Sequence, residues 1–166
     1  MMVFTNRHHL RDKEAKVLIQ EIRSSIGLPE SLVPEKRKIE VATLEDGAQL
    51  VLINNKPAYL KNKNEVIPTL VNTEVLEVIP TIIVDSGAVP HICNGSDLMA
   101  PGIVKISGDF KAQTITAIAE QTYGKKIALA RALIDAETMR ATKRGKVAIN
   151  VHYIGDKAWN TYKSLI

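Results

Sequence analysis

Residues 84–103 read VDSGAVPHICNGSDLMAPGI, and this stretch decides the fold of the second half of the chain. It combines the end of a strand, a Gly-Ala turn into a helix, and a glycine-rich segment that leaves this helix and ends in Pro-Gly. We call that segment, residues 95–102, the exit of the helix. Gly87, Gly95 and Gly102 let a partner approach the main chain closely, and glycine tolerates the positive φ angles that such a turn needs. The pattern therefore indicates a surface built around exposed backbone rather than a set of catalytic side chains.

The residues after this stretch alternate between strands and a short helix. Three runs of β-branched and small apolar residues predict strands: 113–120, 126–134 and 147–153. Turn chemistry at 122–125 joins the first two into a hairpin. Asp135 is expected to cap a helix that runs to about Thr142, and Gly145 ends it. Several short strands with two short helices indicate a closed or nearly closed barrel, although the alternation alone also fits an open α+β sheet.

The first half of the chain predicts one helix, a small sheet and a second helix. Apolar residues recur at helical spacing over 12–26, with Asp12 expected to cap the start. Three β-type runs predict an antiparallel meander: 39–44, 48–53 and 58–61. The second helix is expected over about 69–78, directly after Pro68. Pro80 then breaks the pattern before a strand at 81–84, so the domain boundary is expected near that proline.

Composition favours a compact protein that meets polyanions. The chain has 166 residues, and 22 Lys and Arg against 18 Asp and Glu give a formal net charge of +4. This excess favours nucleic acid over cationic ligands. One cysteine excludes an intramolecular disulfide, and Arg7, His8 and His9 interrupt any secretory pattern early. No apolar run approaches the roughly 18 residues that span a bilayer. We therefore expect a cytoplasmic protein without membrane contact.

Residues with catalytic or metal-binding chemistry are sparse. Cys93 has no identified basic partner and reads as a small buried hydrophobe. His8 and His9 are adjacent near the amino terminus, and the spacing of one Cys and four His is not that of a metal site. Neither a phosphate-binding glycine-lysine loop nor a nucleophile elbow is present. We therefore expect no catalytic residues, no cofactor and no metal.

Two separated motifs carry a family resemblance. The order Asp85-x-Gly87-Ala88, followed by the segment 95–103, GSDLMAPGI, resembles the signature of the PUA domain, a small RNA-binding pseudo-barrel. Residues 145–156, GKVAINVHYIGD, with Trp159 behind them, are similar to the closing segment of the stand-alone relatives of the malignant-T-cell-amplified translation factor. The amino-terminal half resembles the pre-PUA domain of that subfamily. Two departures are Ser96, where Ala is common, and Ala130, where Gly is common and where a β-carbon would crowd an approaching RNA.

The resemblance implies an α+β protein of two domains. Residues 1–78 would form the pre-PUA domain of helices and an antiparallel meander. Residues 79–166 would form the PUA β-pseudobarrel with short helices.

Candidate RNA-binding residues follow from the exposed backbone and from the faces that PUA domains use. Backbone N–H groups at a helix start can hold phosphates. The helix start and the exit of the helix therefore supply the first candidate residues: Gly87, Ala88, Val89, Pro90, His91, Gly95 and Ser96. The resemblance adds the following strand and the last strand: Ile103, Val104, Lys105, Asn150, Val151, His152 and Tyr153. Tyr153 is a candidate for base stacking, although a tyrosine at a strand end is more often a core residue.

Basic clusters are conditional candidates. Lys125 and Lys126 sit in a turn, and Lys143, Arg144 and Lys146 surround a helix end. Each cluster is expected to contact RNA only if the barrel places it beside residues 87–95. Otherwise its side chains are ordinary solvent-exposed charges. A third cluster, 36–38, belongs to the first domain, where it is more simply explained by solubility.

The resemblance implies a non-catalytic RNA-binding protein. Its RNA would be tRNA or ribosomal RNA, on the small ribosomal subunit, in translation initiation or recycling, with a partner like the density-regulated protein. One alternative is an accessory that presents tRNA or guide RNA to a separate modification enzyme. The other is a protein-interaction adaptor whose barrel binds no RNA, which the modest net charge of +4 allows.

Overall fold

The computed structural model describes residues 4–35, 38–63 and 65–166. These residues group into two compact units, one of Met1–Val78 with Asn160–Ile166 and the other of Ile79–Trp159. The division into domains 1–78 and 79–166 stays a prediction, since the contacts assign the last seven residues differently. Lys36 and Arg37 of the third basic cluster lie outside the described residues. Within the described ranges, no helix is both long enough and apolar enough to cross a bilayer.

The first unit is an antiparallel sheet with helices. Its five strands are neighbours in chain order: β1 (Thr5–His9), β2 (Ile39–Thr43), β3 (Gln49–Ile53), β4 (Lys56–Lys61) and β5 (Val66–Pro68). Helix α1 (Asp12–Ser25) buries Ala15, Leu18 and Ile22, the apolar stripe that its periodicity predicts. The predicted three-stranded meander is therefore confirmed, and β1 and β5 extend it at its two edges.

Both predicted helix starts in the first unit were wrong. Arg11, not Asp12, is the residue that precedes the first turn of α1, and the Glu14 carboxylate accepts the Arg11 N–H at 3.0 Å. Helix α2 spans only Thr73–Val78. Thr69 is buried, and its N–H donates to the Ala58 carbonyl oxygen at 3.0 Å. Residues 69–72 are therefore held against strand β4 instead of starting the helix.

The second unit is a six-stranded sheet curled into a half-barrel. Its strands are β6 (Thr81–Val84), β7 (Leu98–Met99), β8 (Ile103–Ser107), β9 (Ile115–Glu120), β10 (Lys126–Ala132) and β11 (Lys146–Tyr153). They lie in the order β7-β11-β10-β9-β6-β8, and every pair is antiparallel except β6 with β9. The predicted β9–β10 hairpin is confirmed, as is the α+β fold class.

Two short helices close the barrel. Helix α3 (Val89–Ile92) inserts the buried side chain of Ile92, and α4 (Ala136–Ala141) inserts Met139. Asp135 caps α4 as predicted, because its Oδ1 accepts the Thr138 N–H at 2.7 Å. A further helix, α5 (Lys157–Lys163), follows β11 and was missed by the sequence analysis.

Candidate nucleic-acid interface

The turn from β6 into α3 is set by Asp85. Its N–H donates to the Gly102 carbonyl at 3.0 Å, and its Oδ1 accepts the Ala88 N–H at 2.9 Å. A carboxylate therefore already occupies the start of this one-turn helix. The Ala88 amide is committed to that carboxylate, which removes it from the N–H groups that would hold a phosphate.

The structure requires glycine for different reasons, or not at all, at the three glycines of residues 84–103. Only Gly95 has a positive φ, +91°. A Cβ on Gly102 would lie 3.1 Å from the Ala88 Cβ, so Gly102 allows close packing on the turn. Gly87 is exposed, and a Cβ there would meet only the Asp85 carboxylate, at 3.4 Å. Of the three, Gly95 alone therefore uses the positive φ that glycine tolerates.

Asn150 fastens α3 to the last strand. Its Nδ2 donates to the carbonyl oxygens of Ile92 and Ser96, each at 3.0 Å, and its N–H donates to Asp97 Oδ1 at 2.9 Å. Asp97 also forms an ion pair with Lys146, with 2.8 Å between Nζ and Oδ2. The hydrogen bond from Lys146, with that from the Asn150 backbone, holds the pKa of Asp97 below its usual range. Lys146 is thus engaged by a carboxylate.

The side chains at the end of β11 are largely packed inward. His152 is 1% exposed, and its Nδ1 lies 2.7 Å from Asp156 Oδ2. Tyr153 is half-buried, and a Cβ on Gly95 would lie 3.2 Å from its ring, so the Gly95 backbone covers part of that ring. Ala130 is fully buried in the core, so its β-carbon faces no RNA. The imidazole of His152 likewise does not reach the surface.

Of the basic clusters, the structure brings the β9–β10 turn beside α3. The Gln121 N–H donates to the Val84 carbonyl oxygen at 3.1 Å, which fixes the turn next to the end of β6. Burial raises the pKa of the Cys93 thiol, and the charge of Lys125 acts in the opposite direction. Lys125 lies in this turn and is exposed. Lys126 follows it at the start of β10 and is half-buried.

The other candidate cations lie on two other segments of the second unit. Lys143 and Arg144 are exposed in the segment before β11, where the Gly145 carbonyl accepts the Ala100 N–H at 2.9 Å. Lys105 is exposed on the edge strand β8, where it pairs with Ile83, and Val104 beside it is 54% exposed.

A shallow groove of about 480 Å³ runs along the α3 surface. Gly87, His91, Ser96 and Met99 line it, together with the two structural carboxylates Asp85 and Asp97. Pro90, His91 and Ser96 are exposed, whereas Ala88, Val89, Gly95, Ile103, Asn150 and Val151 are partly buried. The predicted residues that the structure does bring together are therefore those of α3 and its exit, with Lys125, Asn150 and Tyr153 around them.

The sequence analysis did not single out one exposed aromatic residue of the second unit. Tyr123, in the β9–β10 turn, is 90% exposed. The available signal was an aromatic residue inside a polar turn, directly before Gly124 and two lysines.

Two family models match the chain. The model of the PUA domain matches residues 80–154, and the model described as a domain of unknown function, DUF1947, matches residues 6–73. The resemblance of the second half to a PUA domain is thereby confirmed.

Relatives match most of the chain. The uncharacterized protein MJ1432 of Methanocaldococcus jannaschii is 31% identical over 162 residues, which cover 96% of this chain and 98% of that protein. Translation machinery-associated protein 20 of Saccharomyces cerevisiae is 26% identical over 79% of this chain and 76% of its own. Malignant T-cell-amplified sequence 1 of Danio rerio is 25% identical over 80% of this chain and 77% of its own.

A solved structure has the same architecture. The hypothetical protein PH0734.1 of Pyrococcus horikoshii superposes with a TM-score of 0.80 at 28% sequence identity, over 95% of this chain and 99% of that one. The similarity therefore extends through both halves of the chain.

Proposed function

The chain belongs to the family of PUA-domain proteins that includes MJ1432, and from that membership we propose that it binds RNA in translation without catalysing a reaction. The finer part of the proposal is the RNA itself, which is tRNA or the RNA of the small ribosomal subunit. Its support is the similarity to a relative named for the translation machinery. A partner of the density-regulated type belongs to the same proposal.

One observation carries the assignment of the surface. The β9–β10 turn, which carries Lys125, lies next to the end of β6, from which the chain passes into the exposed residues of α3 and its exit. Residues 79–159 also hold ten Lys and Arg against seven Asp and Glu, so three of the four net positive charges of the chain fall in this unit. Cationic side chains beside accessible backbone suit phosphate contacts that do not depend on sequence.

The α3 surface is not strongly basic, which limits the kind of binding it supports. Asp85 and Asp97 both line the groove, and Lys146 is paired with Asp97. A few phosphate contacts must therefore act together with direct contacts to bases or riboses. Such contacts favour loops and single-stranded ends over an uninterrupted helix, because RNA sequence is read mainly where bases are unstacked.

The test is a binding titration against three RNA ligands: total tRNA, purified small ribosomal subunits and an RNA duplex. We expect binding to tRNA or to the subunits, weaker binding to the duplex, and a loss of affinity with rising salt. The slope of log affinity against log salt, about 0.7 per contacted phosphate for single strands, gives the number of those contacts, which should be small.

Two outcomes would replace this proposal. No binding to any of the three ligands, or binding indifferent to salt, would favour the protein-interaction adaptor. A stable complex with a transglycosylase or pseudouridine synthase, without binding to ribosomal subunits, would favour the RNA-modification accessory.

A further inference from the structure

Tyr123 is an aromatic side chain held in solvent. At 90% exposure it is more accessible than any other large apolar side chain of the described residues, the next being Ile166 at 72%. Single exposed hydrophobic residues are common on protein surfaces. The case for a function therefore depends on how the turn holds Tyr123 and on what surrounds it.

The turn that carries Tyr123 is internally fastened. The Glu120 carboxylate accepts the N–H groups of Thr122, Tyr123 and Lys125, at 2.7, 2.8 and 2.9 Å. The Gly124 N–H donates to the Glu120 carbonyl at 3.1 Å, and Gly124 has a φ of +71°. The backbone beneath the ring is thus fixed before any ligand arrives, which lowers the entropy cost of a contact made by the ring.

The same hydrogen bonds favour the ionised form of Glu120. Its carboxylate is turned toward the backbone, and the N–H groups of Lys125, Tyr123 and Thr122 lower its pKa. Lys125 is exposed, and the bond from the Gln121 N–H to the Val84 carbonyl oxygen holds its turn next to the end of β6, the strand that leads into α3. An exposed aromatic ring, an exposed ammonium group and the α3 surface are therefore neighbours.

We propose that Tyr123 stacks on an unpaired base of the bound RNA, while Lys125 contacts a neighbouring phosphate. Every base offers a flat face, so a stacking platform beside a cation binds single strands with little sequence preference. A base inside a duplex is already stacked and offers no free face. Tyr123 is better placed for this contact than Tyr153, whose ring is partly covered by Gly95. This inference rests on the proposed RNA binding and adds the class of RNA, an unpaired segment.

The test compares Tyr123→Ala and Tyr123→Phe with the wild type. The probes are total tRNA, a labelled 12-nucleotide oligoadenosine, and a chain of equal length whose riboses carry no bases. Tyr123→Ala should bind tRNA and the oligoadenosine about 5- to 150-fold more weakly, because stacking contributes ~1 to 3 kcal/mol per base. Tyr123→Phe keeps the ring and should stay within about twofold of the wild type. Against the chain without bases, all three proteins should bind alike.

Each other outcome gives a separate answer. If the wild type binds tRNA and Tyr123→Ala binds it equally well, the RNA-binding function stands and the stacking role is wrong. The stacking role is also wrong if Tyr123→Ala loses as much affinity for the chain without bases as it loses for the oligoadenosine. If the wild type binds no RNA, the proposed function and the stacking role both fall.

Discussion

Gly95 lies in the exit of α3 and packs against the ring of Tyr153. Its φ is +91°, and a Cβ at this position would lie 3.2 Å from the ring. Gly145 has nearly the same φ, +90°, with nothing within 4 Å of its ideal Cβ. A side chain at Gly145 would therefore cause backbone strain alone, whereas one at Gly95 would cause the same strain and also crowd the Tyr153 ring.

Replacing each of these glycines by alanine should give different losses of stability. Gly145→Ala should lower the free energy of unfolding by about 1 kcal/mol, the cost of a side chain at that φ. Gly95→Ala should lose about 1 kcal/mol more, because the ring of Tyr153 must also move. Urea denaturation of both variants measures the difference. Equal losses would mean that the ring yields freely and does not constrain the turn.

The pKa of Asp156 leads to a prediction of how the free energy of unfolding depends on pH. Burial raises its pKa, but hydrogen bonds from His152, Trp159 N–H and Tyr153 N–H outweigh burial, and the pKa of Asp156 lies below its usual range. A carboxyl group with a lowered folded-state pKa stabilises the fold above its unfolded pKa, about 3.9. That contribution is lost as the pH falls through the folded-state pKa. Stability should therefore drop below about pH 4.

Asp156→Asn tests this assignment, since asparagine remains a good residue before a helix but carries no charge. The variant should lose about 1 to 3 kcal/mol at pH 7, the usual value of hydrogen bonds to a charged group. Its stability should also fall less than that of the wild type between about pH 5 and pH 2. The fluorescence of the single tryptophan, Trp159, can follow unfolding. Parallel pH curves for the two proteins would refute the role of Asp156.

Helix α3 is too short to be held by its own hydrogen bonds, so its position depends on the element beside it. Asn150 of β11 donates to two carbonyl groups of α3 and its exit, those of Ile92 and Ser96. Its side chain is therefore a positioning group for the candidate interface, whereas the sequence analysis proposed it as a direct RNA contact.

Asn150→Ala should separate these two roles. A positioning role predicts a loss of about 1 to 3 kcal/mol in unfolding free energy, faster amide exchange in α3, and weaker RNA binding. Asn94→Ala, the same change at an exposed position after α3, should stay within about 0.5 kcal/mol of the wild type. A variant that loses RNA affinity with unchanged stability and exchange would identify Asn150 as a direct contact instead.

The strands that the sequence analysis missed lack the two main sequence signals of secondary structure, which are hydrophobic periodicity and sufficient length. Strand β1 is exposed along its whole length, and Asn6 within it has a positive φ, so no alternation marks it. Strand β5 has three residues. Helix α2 starts late because buried Thr69 bonds to β4, a tertiary contact that propensity does not contain. The β9–β10 hairpin and α4 were predictable because their turn and cap chemistry is local.

At the scale of the whole molecule, the net charge of +4 and the PUA family both favour a nucleic-acid partner. The two motifs at 84–103 and 145–156 together predicted the PUA domain, whose family model matches residues 80–154. Which cations meet the α3 surface was not predictable, because that depends on the curl of the sheet. The structure places the turn that carries Lys125 next to the end of β6 and pairs Lys146 with Asp97.

The central claim is that RNA binds on the α3 side of the second unit, and two charge reversals test it. Lys125 lies in the turn beside α3, whereas Lys111, which is also exposed, precedes β9 at the opposite end of the same hairpin. We would measure the affinity of the wild type, Lys125→Glu and Lys111→Glu for tRNA and small ribosomal subunits across a salt series. Lys125→Glu should bind at least about tenfold more weakly, with a salt slope smaller by about one contacted phosphate, and Lys111→Glu should bind like the wild type. Equal effects of the two variants, or a loss confined to Lys111→Glu, would contradict the claim.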